Sequence, residues 1–127
     1  MAYLIDTHTL LWHFNGDKQM SNSAIEILKN NKLEKYISIA SVWEIAIKLG
    51  IGKLVLDFSF NEIEEKLTGS NISLLNISVK HTQQIISLPL HHRDPFDRMI
   101  IAQSITENLT VISRDKNFSF YPIKLLW

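Results

Sequence analysis

The chain has 127 residues, a length that suits one domain with its own hydrophobic core. Thirteen Lys and Arg residues balance thirteen Asp and Glu residues, so any nucleic-acid partner must be held by a local patch rather than by a basic molecule. Cysteine is absent, which excludes disulfides, thiolate zinc sites and cysteine nucleophiles. The apolar N-terminal stretch lacks a basic segment and is interrupted by Asp6 and His8, so we expect no signal peptide, no membrane span and a cytoplasmic protein.

The first half of the chain alternates apolar runs with helical patterns. A strand is predicted at 2–6, and a short helix at 9–14 ends near Gly16. Helical spacing returns after Ser21, and a second strand and a further helix follow. Ser41 and Glu44 have the spacing of a capping box at the start of that helix. The predicted elements after Ser21 are a helix at 22–31, a strand at 35–40 and a helix at 42–50.

The second half continues the alternation. Ser59 and Glu62 again have capping-box spacing, and Pro89 ends a helix that Ser78 begins. The predicted elements are helices at 62–67, 79–88 and 95–108 and strands at 72–77, 109–113 and near 122–126. Strands that are continuous apolar runs between helices indicate a parallel sheet. We therefore predict one α/β domain over 1–127, a three-layer sandwich with a central parallel sheet of about five strands flanked by helices.

Acidic residues gather where such a sheet places its ligands, beyond the carboxyl ends of its strands. Asp6 ends the first strand, and Glu44 follows the second. Asp94 and Asp97 begin the helix that leads into the fourth strand, and Asp115 lies just beyond that strand. Four segments of the chain thus bring carboxyl groups towards one edge of one sheet.

Each acid also has a structural interpretation. Asp6 is a possible N-cap for the first helix, and Asp94 before Pro95 is a favourable N-cap for the last one. Glu44 fits both the capping box and an i,i+4 pair with Lys48. The alternative for Asp115 is a solvated turn acid, paired with a neighbouring cation.

Carboxylates at one place repel one another unless a cation lies between them. Oxygen ligands without cysteine favour Mg²⁺ or Mn²⁺ over zinc. Such a centre activates water for attack on a phosphodiester. Arg98, beside Asp97, would neutralise the acids or contact a phosphate, whereas His81 is predicted to lie on a helix surface.

Four blocks of sequence resemble the PIN-domain family, and within it the VapC-like toxins of bacterial toxin–antitoxin pairs. The blocks are YLIDTHTLLW, SIASVWEIAIK, HRDPFDRMIIAQS and LTVISRDKNF, in the family's order and spread over nearly the whole chain. The resemblance implies an α/β domain with a parallel sheet. It also implies a Mg²⁺- or Mn²⁺-dependent endoribonuclease that cleaves an RNA substrate, forms a homodimer and is inhibited by a cognate antitoxin.

The resemblance also assigns roles. Asp6, Asp97 and Asp115 match the family's metal-binding or metal-orienting acids, and Glu44 matches its glutamate, which holds a water or a second ion. Asp94 is an additional acid typical of the DPFDR form. The family often has a small polar residue where this chain has His8, so we expect Thr7 or Thr9 to replace its hydrogen bond.

Two other functions fit parts of the sequence. A receiver-like phosphoacceptor domain would use Asp57 and Lys116, but a single acid after the first strand and the unused Glu44 and Asp97 speak against it. A PIN-like module that binds without catalysis would have the same fold, and metal-dependent turnover distinguishes it. A nuclease acting on DNA is a variant that the neutral net charge does not exclude.

Overall fold

Five short strands form one parallel sheet in the computed structural model, which describes residues 1–127. The strands lie in the order β3-β2-β1-β4-β5, and every neighbouring pair is parallel. Their bounds are β1 Ala2–Ile5, β2 Glu34–Ser38, β3 Ser73–Leu75, β4 Thr110–Ile112 and β5 Leu125–Leu126. The predicted sheet type and strand number are confirmed.

The central strand β1 pairs with β2 on one side and with β4 on the other. Its last residue, Ile5, lies between Ile37 and Ile112, and all three side chains are fully buried. The strand order reverses between β1 and β4, because β2 and β3 continue in one direction and β4 and β5 in the other. The residues that follow β1 and β4 therefore lie at the switch point of the sheet, where ligands bind in this class of fold.

Helices cover both faces of the sheet. They are α1 Thr7–Asn15, α2 Asn22–Lys29, α3 Ile39–Gly50, α4 Ile63–Gly69, α5 Val79–Ser87 and α6 Pro95–Glu107. One core contains apolar side chains of α1 to α4, and a second contains those of α6 and of the segment after β4. This is the predicted three-layer sandwich. None of the helices has the length and apolarity that a membrane span requires.

The start of α3 differs from the prediction. Strand β2 ends at Ser38, whose hydroxyl accepts a hydrogen bond from the Ala40 N–H at 3.0 Å, so α3 begins at Ile39. Ser41 is buried inside the helix and accepts a hydrogen bond from the Thr7 hydroxyl at 2.9 Å. The predicted capping box of Ser41 and Glu44 is therefore wrong, and Glu44 lies in the second turn of α3.

His81 is a second correction, because it is buried rather than on the helix surface. Its residue exposure is 1%, and its Nδ1 accepts a hydrogen bond from the Ser78 N–H at the start of α5. Its Nε2 lies 3.1 Å from Glu107 Oε1 at the end of α6. The imidazole therefore links the two helices that cover one face of the sheet.

Candidate active site

Asp6 directly follows β1 and occupies the switch point of the sheet. Its Oδ1 accepts a hydrogen bond from the Thr9 N–H at 2.8 Å, so the side chain caps α1. Its Oδ2 accepts a hydrogen bond from the Ser113 hydroxyl. Burial raises the pKa of this carboxyl, and the bonds from Ser113 and Thr9 partly oppose that rise. Asp6 is therefore a buried, oriented acid as well as the predicted helix cap.

Ser113 joins the acids that follow the two neighbouring strands. It is the residue after β4 and is 1% exposed. Its hydroxyl donates to Asp6 and accepts from the Asp115 N–H at 3.0 Å. Asp115 in turn caps a short 3₁₀ helix by accepting from the Asn117 N–H at 2.9 Å. One serine hydroxyl thus fixes the relative position of two acids from opposite ends of the chain.

Glu44 brings a buried carboxyl group with one free oxygen. Oε2 lies 3.0 Å from Lys48 Nζ, which is the predicted i,i+4 pair. Oε1 is buried and has no hydrogen-bond partner in the protein. An unpaired buried carboxylate oxygen is costly, so this atom is suited to a ligand that the protein itself does not supply.

Asp97 lies on the first turn of α6 and is the acid most affected by its neighbours. Burial raises its pKa to about 8, and the charges of Asp94, Asp115, Glu44 and Asp6 contribute to the rise. These acids come from the four chain segments that were predicted to converge, and they lie close enough together for their charges to act on Asp97. A cation among these groups would offset the repulsion that adds to the effect of burial on the pKa of Asp97.

Asp94 acts as the N-cap of α6. Its Oδ1 accepts hydrogen bonds from the Phe96 and Asp97 N–H groups, both at 2.9 Å. The predicted cap is therefore confirmed, while its charge still acts on Asp97.

Arg98 does not neutralise the acids. Its guanidinium is buried and donates to the Pro89 carbonyl at 2.9 Å, to the Tyr121 hydroxyl at 3.1 Å and weakly to the Leu88 carbonyl. The expectation that Arg98 pairs with the site carboxylates is wrong, because its donors are used by the loop before α6 and by Tyr121. Its contact with a phosphate stays a prediction.

An open cleft of about 340 Å³ leads to Asp6 and Asp115. Its other lining residues are His8, Trp12, Gln19 and Arg114. His8 is exposed and makes no hydrogen bond to Asp6, whereas the Arg114 guanidinium donates to Gln19 Oε1 at 3.0 Å on the exposed rim. The cleft therefore combines acids at its base with a cation at its rim.

The sequence matches the PIN domain over residues 3–124, which is almost the entire chain.

The chain belongs to the PIN domain family.

Solved structures with the fold of this PIN domain come from several bacteria. A chain in the structure of VapBC2 from Rickettsia felis bound to a DNA fragment from their promoter has 22% identity and a TM-score of 0.70, with 100% of this chain and 99% of that chain covered. A chain in the structure of DNA-bound VapBC from Salmonella typhimurium has 19% identity and a TM-score of 0.69, with 99% of this chain and 97% of that chain covered. A chain in a toxin-antitoxin complex from Klebsiella pneumoniae has 19% identity and a TM-score of 0.64, with 99% of this chain and 97% of that chain covered. Among curated proteins, none matches the sequence significantly.

The donor set of this PIN domain fits a hard divalent cation. No three acidic or histidine side chains have the spacing of a preformed coordination shell. Mg²⁺ commonly takes only one or two carboxylates directly and keeps several waters, so a complete protein shell is not required. The free Glu44 Oε1 and the mutual repulsion at Asp97 are the features that such an ion would satisfy.

The other candidate residues from the sequence, Asp57, Thr7 and Thr9, do not contribute a side-chain oxygen to the proposed cation site. Asp57 is exposed in the loop between α3 and α4 and does not follow a strand, so the receiver-like alternative lacks its phosphoacceptor position. The Thr7 hydroxyl donates a hydrogen bond to the Ser41 hydroxyl, and the Thr9 backbone N–H donates one to Asp6. Sequence reasoning missed Ser113, whose signal was a polar residue at the end of an otherwise apolar strand beside β1.

Proposed function

We propose that this PIN domain is a Mg²⁺- or Mn²⁺-dependent endoribonuclease that hydrolyses RNA phosphodiester bonds as the toxin of a toxin–antitoxin pair. The observation that carries the proposal is the convergence of Asp6, Glu44, Asp97 and Asp115 beyond the carboxyl end of the sheet. Burial, together with the charges of Asp94, Asp115, Glu44 and Asp6, raises the pKa of Asp97 to about 8, and a divalent cation would relieve the part of this effect that is due to repulsion.

The residues of the chain divide the chemistry between them. A bound divalent cation supplies stabilisation of the charge that develops on the phosphodiester and lowers the pKa of nearby water. Asp6, Asp97 and Asp115 would hold that cation, with Asp6 fixed by Thr9 and Ser113. The free Oε1 of Glu44 is an acceptor for a proton of the attacking water.

The open cleft suits a polymeric substrate. Arg114 lies on its rim, where the guanidinium can pair with a phosphate of the RNA backbone. Trp43 is 61% exposed and packs edge to face against Phe96, at 5.3 Å between ring centroids. Each ring belongs to the residue directly before an acid of the site, so this pair is a candidate surface for base stacking.

The partners follow from the structures with the same fold. Those structures are VapBC assemblies and a toxin-antitoxin complex. We infer a cognate antitoxin for this chain on that likeness. A homodimer and an RNA substrate in the cytoplasm are proposed on the resemblance of the sequence to VapC-like toxins.

The test is cleavage of a structured RNA pool by the purified chain, titrated with Mg²⁺ and with Mn²⁺. Asp97→Asn is the site variant, and Asp57→Asn is the matched control because it removes the same charge from an exposed loop. We expect metal-dependent cleavage by the wild type and by Asp57→Asn, and a rate no higher than that of protein-free RNA for Asp97→Asn.

The opposite results are equally informative. Equal cleavage by all three proteins would remove the proposed site from the reaction. If the folded wild type binds Mn²⁺ yet cleaves neither the RNA pool nor a single-stranded DNA assayed in parallel, the nuclease proposal fails in favour of the non-catalytic binding module. Cleavage of DNA alone would assign the other nucleic acid as substrate.

A further inference from the structure

A series of buried polar groups connects the guanidinium of Arg98 to the carboxylate of Asp97. Arg98 Nη1 donates to the Tyr121 hydroxyl at 3.1 Å, and that hydroxyl lies 2.8 Å from His92 Nδ1. His92 Nε2 is buried, has no hydrogen bond and lies 3.4 Å from Asp97 Oδ2. Tyr121 is 4% exposed and Arg98 is 9% exposed, so the connection is shielded from solvent.

The hydrogen bonds at Tyr121 determine the tautomer of His92. The phenol oxygen accepts from the Arg98 guanidinium and, at 3.4 Å, from the His92 backbone N–H. Both acceptor positions of the oxygen are then used, so the phenol proton is left to donate to His92 Nδ1. The ring proton of His92 is thereby placed on Nε2, the nitrogen that faces Asp97.

Arg98 and Tyr121, which support His92, are themselves held in place by other contacts. Arg98 also donates to the Pro89 carbonyl, which ties the loop before α6 to the helix. The ring of His91 packs edge to face on Tyr121, with 5.0 Å between centroids. Tyr121 is thus held on one side by a cation and on another by an aromatic ring.

We propose that His92 is a positioning residue that orients the Asp97 carboxylate towards the divalent cation, with its donor nitrogen set by Tyr121 and Arg98. The proposal rests on the proposed metal-dependent function. No other side chain of the protein directs a donor at Asp97, while its charged neighbours are acids that cannot donate when ionised. Outer partners of this kind orient metal ligands and fix their protonation state.

The contact would act on one oxygen of the carboxylate. His92 Nε2 faces Oδ2, and Oδ1 receives no hydrogen bond from the protein. A donor on Oδ2 limits rotation of the carboxyl group and leaves Oδ1 for the cation.

The first experiment measures Mn²⁺ affinity by titration calorimetry at one pH, without RNA. We expect His92→Leu to weaken binding about 10–100-fold, and His92→Gln to recover most of the loss because its amide keeps a donor near the same place. We expect Tyr121→Phe to weaken binding about 10-fold. Tyr3→Phe is the matched control, since Tyr3 is also buried but its hydroxyl contacts only Met1.

The second experiment reads the tautomer by ¹⁵N NMR of the histidine rings. We expect a pyridine-type shift at Nδ1 and a pyrrole-type shift at Nε2 of His92, both altered in Tyr121→Phe. A pyrrole-type Nδ1 in the wild type, or wild-type affinity in His92→Leu, would overturn the positioning role. Failure of the wild type itself to bind Mn²⁺ would instead remove the proposed function on which the role depends.

Discussion

Asp97 lies on the first turn of α6, where burial and neighbouring acids raise its pKa to about 8. An unfolded chain would ionise the same side chain near about pH 3.9. Between these values the folded protein binds a proton that the unfolded chain releases, so stability is lost as the pH rises. We expect Asp97 to lower the free energy of unfolding of the metal-free protein by up to about 1.4 kcal/mol per pH unit between about pH 4 and pH 8.

Urea denaturation in EDTA at a series of pH values measures this slope. Asp97→Asn should remove the contribution of Asp97, and a slope of the same sign should remain from Asp6, whose pKa burial also raises. Asp57→Asn should keep the wild-type slope, because its side chain is exposed in a distant loop. A wild-type slope in Asp97→Asn would show that the repulsion does not reside at this residue.

At the residue scale, the sequence predicted the acids better than the groups that hold them. Asp6, Asp97 and Asp115 are recognisable because each follows a strand or begins a helix beside one. Ser113 and His92 gain their roles from contacts with residues far along the chain, and Arg98 loses its expected role to the Tyr121 hydroxyl. Such partners depend on side-chain direction in three dimensions, which local spacing does not determine.

The start of α6 combines a helix cap with a charge of the site. Asp94 accepts two backbone hydrogen bonds, and asparagine caps a helix about as well as aspartate does. We expect Asp94→Ala to be less stable than Asp94→Asn by about 1 kcal/mol. Urea denaturation of the two variants in EDTA measures the difference, and since both lack the charge, the comparison isolates the cap.

Equal stability of the two variants would mean that the cap hydrogen bonds contribute nothing to the fold. A lower Mn²⁺ affinity in both variants by the same factor would reflect the lost charge of Asp94, which lies among the groups acting on Asp97. A loss confined to Asp94→Ala would instead trace to the altered start of α6.

Element boundaries show the same division between local and distant causes. Ser38 and Ser41 are both able to cap a helix, and local spacing favoured Ser41. Ser38 pairs with Leu75 of β3, so the strand extends to Ser38 and the helix starts directly after it. The sequence predicted that a helix follows β2, whereas the register of the sheet determined its first residue.

Cation binding should stabilise the whole molecule. A ligand that binds only the folded protein raises the free energy of unfolding by about 2.7 kcal/mol when its concentration is 100 times Kd. We expect Mg²⁺ or Mn²⁺ at that excess to produce this gain, with the urea midpoint shifted upward. At one fixed cation concentration the gain should be larger at pH 8 than at pH 5, because protons compete for Asp97 and raise Kd at the lower pH.

NaCl at matched ionic strength is the control for screening alone. NaCl should raise the free energy of unfolding much less than the divalent cation does. The stability of Asp97→Asn should change little when the divalent ion is added. A divalent effect no larger than that of NaCl, for the wild type at pH 8, would contradict a specific site.

The hydroxyl bond between Ser113 and Asp6 spans 107 positions of the chain. A ribosome therefore synthesises Asp6, the first acid of the site, 107 residues before Ser113, its buried partner. Strand β4 must also enter the sheet beside β1 before Asp115 is brought to its place. The complete centre consequently cannot exist on a growing chain until Asp115 has left the ribosome, which separates the synthesis of Asp6 from the onset of the chemistry at the site.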